Sequence, residues 1–224
     1  MTNEITADIC VIGGGSGGLS VAAGASQMGA DVVLLESGKM GGDCLNYGCV
    51  PSKAMIAAAH AAHAVRSAGR FGIDSGEPTV DFEKVHDHVH GVIGAIAPHD
   101  SVERFEGMGV RVIQERGRFV GPNRVQAGDT VITAKRIVIS TGSRAGVPPI
   151  PGLEDVPFLT NETVFDKKSA PDHLIVIGGG PIGSELAQAH CRLGCKVTIL
   201  EMFSVLGKDD PELTEVVKNR MKSE

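Results

Sequence analysis

The sequence predicts an α/β fold of two strand–helix–strand units in succession, the first carrying an inserted block of short strands. Three observations carry this. A β-branched run at 8–12 leads into Gly13, Gly15 and Gly18; a helical stretch and a second apolar strand at 31–35 follow, ending on Glu36. The same spacing returns at Gly178, Gly180, Gly183 and Glu201, every position displaced by 165 residues. Between the two, residues 110–140 alternate β-branched runs with turn residues, as a β-meander does. In each unit the glycines allow a tight turn and close approach of a pyrophosphate to a helix N-terminus, and the acid suits ribose hydroxyls. Two such fingerprints with identical spacing imply two dinucleotide sites on Rossmann-like domains.

The elements follow in order. Cys10 sits inside the first strand and reads as a small core residue. The first helix, 19–28, stops at Gly29. An alanine-rich helix runs from 54 to about 67, a loop fills 71–80, and a second helix spans 81–106, bent around Gly91, Gly94 and Pro98. Strands are expected at 110–114 and 117–120, then a hairpin of 124–127 and 130–133 across Gly128-Asp129. A separate buried strand at 136–140 ends in Thr141-Gly142-Ser143. The prolines of 147–152 stiffen an extended connection, and 160–163 reads as a short capped helix. A strand at 173–177, a helix to 193 and a strand at 196–200 open the second unit. The division is therefore 1–146, a connecting segment 147–172, and an incomplete second domain 173–224.

Between these units stands Gly41-Gly42-Asp43-Cys44-Leu45-Asn46-Tyr47-Gly48-Cys49-Val50-Pro51-Ser52-Lys53. The stretch reads as the start of the alanine-rich helix with both sulfurs near its N-terminus, where unpaired N–H groups and the dipole favour a thiolate. Five residues of regular helix turn through about 500°, leaving the side chains roughly 140° apart, so a disulfide needs a distorted first turn. Gly48 and Pro51 make such a distortion feasible. By themselves the two cysteines fit either a redox couple or two reduced, buried thiols.

With the fingerprint upstream, the block resembles the active-site segment of the pyridine nucleotide–disulfide oxidoreductases. These FAD enzymes share the pattern Gly-Gly-x-Cys-x-Asn-x-Gly-Cys-x-Pro, followed by Ser-Lys in the dihydrolipoamide dehydrogenase and mercuric reductase branches. The match has no gap. The resemblance implies an FAD-binding first domain and an NAD-binding second one. Electrons pass between NADH, FAD and a Cys44–Cys49 disulfide, and on to a small-molecule or protein dithiol or disulfide. It places Cys49 nearer the flavin, makes Cys44 the interchange thiol, and sets Lys53 near flavin N5, with Glu185 beside the nicotinamide as its pairing partner. For FAD it implies contacts at Gly13, Gly15, Ser16, Gly18, Glu36, Ser37, Gly42, Lys53, Gly117, Thr141, Gly142 and Ser143. For the nicotinamide dinucleotide it implies Gly178, Gly180, Gly183, Glu185 and Glu201. Glu201 is followed by Met202-Phe203-Ser204-Val205-Leu206 with no arginine, so NAD(H) is expected over NADP(H).

Family members continue through the rest of the nucleotide domain into an interface domain. That domain makes most of the homodimer and supplies a His-Glu acid–base pair. The sequence is thus expected to be the N-terminal portion of a longer enzyme, and none of its histidines is assigned as the base. A mercuric reductase-like enzyme, an NADH oxidase-type flavoprotein and a non-catalytic nucleotide-binding fragment stand as alternatives.

Composition bounds the rest. Over 224 residues the net charge is −6, which provides no basic footprint for nucleic acid. No apolar run approaches the roughly 20 residues of a membrane span, and the N-terminus lacks a signal-peptide pattern, so a cytoplasmic protein is expected. His60, His63, His86, His88, His90 and His99 include pairs at helical spacing. No cysteine or carboxylate completes a recognisable site with them, so no metal is assigned. Cys191 and Cys195 read as packing residues.

Overall fold

β1 (Asn3–Ile12) is the spine of the first of two units in the computed structural model, which describes residues 3–224. That unit comprises the chain up to Val50 together with Val92–Val164. β1 pairs in parallel with β2 (Val32–Leu35) on one side and β6 (Thr130–Ile139) on the other. β3 (Arg111–Ile113) extends the parallel sheet beyond β2. β4 (Gly117–Gly121) and β5 (Arg124–Ala127) fold back as an antiparallel meander, for a sheet order β3-β2-β1-β6-β5-β4. Ile12 is in register with both Leu35 and Ile139, so the three central strands finish level. In an open α/β sheet that carboxyl edge is where ligands bind.

The expected break between a meander strand and a core strand is absent. β6 is one continuous strand of 10 residues. Its partner β1 also runs for 10 residues and pairs along it from Asn3↔Thr130 to Ile12↔Ile139, so the ladder carries β6 straight through Ala134 and Lys135. The pleat then sorts the core. Cys10 and Ile12 join Val33, Leu35, Val125 and Ile132 on one face. Val11 joins Val32, Leu34 and Phe105 on the other, with Leu19 and Ala22 of α1 (Ser16–Gln27). Each fully buried aliphatic side chain contributes about 1.5–3 kcal/mol. α1 ends in a Schellman turn: Gly29, at φ +85°, donates to Ser26 O at 2.9 Å, and Ala30 donates to Ala25 O at 3.1 Å.

The helix expected over 81–106 is two. α4 (Phe82–Ile96) contains both Gly91 and Gly94 without a break and gives way to a 3-10 turn at Ala97–Asp100. Pro98 there lacks the N–H that would continue the ladder. Ser101 then takes an extended conformation, and its hydroxyl accepts from Arg104 N at 3.2 Å, capping α5 (Val102–Gly107).

The second unit comprises Pro51–Gly91 and Phe165–Glu224. β7 (His173–Ile177) and β8 (Lys196–Leu200) pair in parallel, with α6 (Pro181–Arg192) crossing between them. Buried residues come from α3 (Cys49–Arg66) through Ala54, Met55, Ala59 and Ala62, from α4 through Phe82 and Val89, and from α6 through Ala187, Ala189 and His190. α6 ends as α1 does: Gly194, at φ +100°, donates to Cys191 O, and Cys195 donates to His190 O, both at 3.0 Å. α7 (Pro211–Lys222) starts at Asp210, whose carboxylate accepts from Glu212 N at 2.9 Å. The short helix expected at 160–163 is a turn, with the Thr160 hydroxyl accepting from Glu162 N, and the 3-10 helix that follows spans Val164–Asp166. Among the described residues no helix is long and apolar enough to cross a membrane.

Candidate functional site: two dinucleotide loops and a thiol pair

The fingerprint glycines divide into those the fold needs and those it leaves open. Gly13 has φ +112° and its counterpart Gly178 has φ +104°, a conformation that side chains disfavour. A Cβ on Gly18 would lie 1.8 Å from Gly13 O, and one on Gly183 would lie 2.1 Å from Gly178 O. These third glycines let each helix close onto its strand. The middle glycines differ. A Cβ on Gly15 would meet nothing closer than Gly42 Cα at 3.7 Å, and one on Gly180 would meet nothing within 4 Å. Both middle glycines therefore border open space at a helix N-terminus, the cradle that a pyrophosphate requires.

The acids are held identically in the two loops. Glu36 accepts from Gly14 N and from Gly38 N, each at 2.6 Å. Glu201 accepts from Gly179 N at 2.8 Å and Phe203 N at 3.0 Å. Those amides, Gly179 first, hold the Glu201 carboxyl below its usual range. Each carboxylate is anchored by its own loop, with lone pairs left for hydroxyls. In the first unit Ser16 opens α1, Ser37 is exposed beside Glu36, and the exposed Thr141, Gly142 and Ser143 leave the end of β6 at the same edge. Ser140 ties that end down, its hydroxyl donating to Ile12 O at 3.1 Å. Gly117 has a packing role as well, since a Cβ there would lie 2.9 Å from Leu35 Cδ1.

The cysteines lie on two helices rather than one. α2 (Gly42–Asn46) carries Cys44, the chain breaks at Tyr47 and Gly48, and α3 begins at Cys49. The distortion that the regular-helix geometry demanded is thus a complete break. A Cβ on Gly48 would lie 2.7 Å from Asp43 Oδ2 and 3.1 Å from Asp43 O, so glycine eases the close pass of the chain over α2. Asn46 fastens the inside of the turn, its amide donating to Met40 O at 3.0 Å and Gly42 O at 2.9 Å. The break brings the sulfurs within hydrogen-bonding reach of each other. Both cysteines are thiols here. The expectation that the helix start favours thiolates is corrected at Cys44. Burial, reinforced by the hydrogen bond to Cys49, pushes its thiol up to about 11.

A glycine contact sets this pair against the first loop. Gly42 has φ +59°, and a Cβ on it would lie 2.6 Å from Gly15 Cα. Gly41 N donates to Gly14 O at 2.9 Å, and Gly15 and Gly41 form a β-bridge. The residues that start α2 and the first glycine loop therefore share one backbone junction. Within the second unit, Lys53 Nζ lies 2.6 Å from Glu185 Oε2, and the pair borders a cavity of about 270 Å³ between α3 and α6. Asn161 is a residue that sequence reasoning missed. Its amide donates to Asp43 Oδ1 at 2.9 Å across 118 positions, a separation that leaves no local signal. The His86 and His90 rings lie with centroids 4.2 Å apart and planes tilted by 41°. Among the described residues no group of three or more His, Cys, Asp or Glu is placed to hold a metal. Cys10 is fully buried, and burial raises its thiol to about 11.

Fold and site together define a dinucleotide-binding α/β protein with a thiol pair built against its first nucleotide loop. The chain belongs to the pyridine nucleotide-disulphide oxidoreductase family, whose model matches residues 7–224. Members of this family use FAD and a nicotinamide cofactor. Among curated proteins, the mercuric reductase of Streptomyces lividans is 34% identical over 223 residues, covering 97% of this chain and 47% of the relative. The dihydrolipoyl dehydrogenase of Haloferax volcanii is 35% identical over 224 residues, covering 95% of this chain and 46% of the relative. Among solved structures, the HOCl-induced flavoprotein disulfide reductase RclA from Escherichia coli superposes with a TM-score of 0.82 at 26% identity, over 96% of this chain and 47% of that one. The chain spans about half the length of the curated relatives it matches.

Proposed function

We propose that the chain provides the FAD site, the redox disulfide and the opening of the nicotinamide site of an NADH:disulfide oxidoreductase. The observation that carries this reading is the Gly15–Gly42 junction, which sets the Cys44–Cys49 pair against an open pyrophosphate cradle. The FAD domain is residues 1–146, a connection spans 147–172, and the nicotinamide domain begins at 173. Gly13, Gly15, Ser16 and Gly18 would hold the pyrophosphate and Glu36 and Ser37 the ribose. Gly42, Gly117 and Thr141, Gly142 and Ser143 would complete the wall. Gly178, Gly180, Gly183 and Glu201 would do the same for the second dinucleotide. A strand-end acid with no arginine after it favours a free 2′-hydroxyl, and hence NADH over NADPH. When bound, FAD supplies two-electron exchange between the nicotinamide and the disulfide.

The thiols then carry the exchange. With its proton removed, Cys44 attacks one sulfur of an external disulfide and releases the other as a thiolate. Cys49 attacks the Cys44 sulfur of the mixed disulfide, closing the Cys44–Cys49 bond and releasing the second thiolate. The two protons lost by the cysteines end on the two product thiols. In reverse the same residues oxidise a dithiol. The Lys53 ammonium, oriented by Glu185, would favour negative charge on the flavin and on the Cys49 thiolate. A cytoplasmic homodimer acting on a small-molecule or protein disulfide fits this reading. Mercuric ion is the second substrate candidate, because curated mercuric reductases are related to the chain at 31–36% identity.

The test is a thiol count on the FAD-supplemented protein after mild oxidation, with and without anaerobic NADH. NADH is expected to restore two titratable thiols in the wild type and none in Cys44→Ser or Cys49→Ser. An unchanged count in the wild type would contradict the reading.

A further inference from the structure

We propose that His86 and His90 of α4, with the main-chain oxygen of Phe165, form a chelate site for a divalent late transition ion such as Zn²⁺. The two histidines stand four residues apart on one helix, so their side chains share a face. Their ring centroids are 4.2 Å apart and the ring planes are tilted by 41°. Phe165 and Asp166, in the 3-10 turn that ends at Asp166, come up against this pair. His90 Nε2 lies 3.1 Å from Phe165 O and 3.8 Å from Asp166 Oδ1. All four residues belong to the second unit. Helical spacing alone offers these histidines no further ligand, and the fold brings one from 75 positions away.

The donor atoms select the ion. Two imidazoles and one oxygen suit Zn²⁺, Ni²⁺ or Cu²⁺, whereas Mg²⁺ and Ca²⁺ take oxygen ligands. Ligands bonded at about 2.0–2.1 Å to one ion lie roughly 2.9–3.4 Å from each other. The 3.1 Å between His90 Nε2 and Phe165 O falls in that range. These two atoms share one proton in the hydrogen bond; an ion takes its place, and the proton passes to His90 Nδ1. His86 already stands in the ligating tautomer. Its Nδ1 lies 3.1 Å from Asp87 Oδ1, and a carboxylate only accepts, so Nδ1 carries the proton and Nε2 the lone pair. A carboxylate behind the imidazole is the usual outer partner of a metal-bound histidine. The His86 side chain is only 12% exposed, so packing holds the ring. Asp166, at 3.8 Å from His90, stands outside the ligand sphere and adds negative charge to it. Two side chains and a carbonyl leave the remaining positions to water, so the site is an open one rather than a closed structural centre.

The experiment is a calorimetric titration of the chain with Zn²⁺, with thermal midpoints recorded in the absence of the ion. The wild type should take up one equivalent more than His86→Gln or His90→Gln. Zn²⁺ held by the thiols is common to all three proteins and cancels. Asp87→Asn should weaken that equivalent about tenfold by freeing the His86 ring. His88→Gln, an exposed residue between the two ligands on another face of α4, should leave it unchanged. The His90 side chain is 40% exposed and can be replaced without opening the core, so His90→Gln decides the matter if His86→Gln misfolds. Equal uptake by the wild type and His90→Gln, or the same loss in His88→Gln, would overturn the proposal.

Discussion

Gly15 and Gly18 stand three residues apart in one loop, yet substituting alanine at each should have opposite consequences. At Gly18 the new Cβ would lie 1.8 Å from Gly13 O, and backbone on both sides must part by more than 1 Å. Overpacking of this kind costs about 1–3 kcal/mol or more, against a gain of up to ~1 kcal/mol from the better helix propensity of alanine. The net loss is about 1–2 kcal/mol, a fall of roughly 2–8 °C in thermal midpoint for a chain of this size. At Gly15 the new Cβ meets only Gly42 Cα at 3.7 Å, an ordinary contact. The backbone there, φ −86° and ψ −176°, suits any residue. Losing a glycine N-cap and gaining chain stiffness roughly cancel, so the midpoint should hold within a degree or two. The methyl group instead projects into the open cradle and should weaken FAD binding at least tenfold. Thermal unfolding and a flavin fluorescence titration on the two variants separate the effects. Equal destabilisation by both, or undiminished FAD binding by Gly15→Ala, would refute the division of the fingerprint into structural and ligand-facing glycines.

Other outcomes follow from the same geometry. Lys53→Met breaks an ion pair whose side chains are 59% and 46% exposed, so its stability should change by less than about 1 kcal/mol. The rate at which NADH restores the thiols should nevertheless fall, and a matched loss of stability would indicate a structural role instead. His190 is buried beside Phe82, its Nδ1 lies 2.8 Å from Leu186 O, and burial lowers its pKa. The unfolded chain therefore takes up the proton first as pH falls through about 6.5, and stability is lost there with a slope of at most ~1.4 kcal/mol per pH unit from this group. In urea unfolding between pH 7.5 and 5.5, His190→Gln should show a shallower loss than the wild type, and identical slopes would rule the effect out.

The parts of the site that were legible in the sequence are those whose cause is local. Gly13 and Gly18 act within one turn, Glu36 answers Gly14 from the far strand of the same strand–helix–strand unit, and Glu201 repeats that hydrogen bond on Gly179. Features set by distant partners were not legible. The continuity of β6 comes from its ladder with β1, more than 120 positions away. The break between α2 and α3 falls at Tyr47 and Gly48, where the Asn46 side chain bonds back to Met40 and Gly42, whereas helical periodicity alone carries the helix through. The bond from Asn161 to Asp43 has no sequence mark at either end. The Lys53–Glu185 pair, 132 positions apart, came from family resemblance and not from any property of the two residues.

The most direct test of the central claim, a redox disulfide in contact with an FAD held by the first loop, is the visible spectrum of the FAD-loaded chain during anaerobic titration with a dithiol. The account predicts a bound-flavin spectrum that develops a long-wavelength shoulder as the dithiol is added, lost in Cys49→Ser and kept in Cys10→Ser. Bound flavin with no shoulder in the wild type, or a shoulder that survives Cys49→Ser, would contradict it.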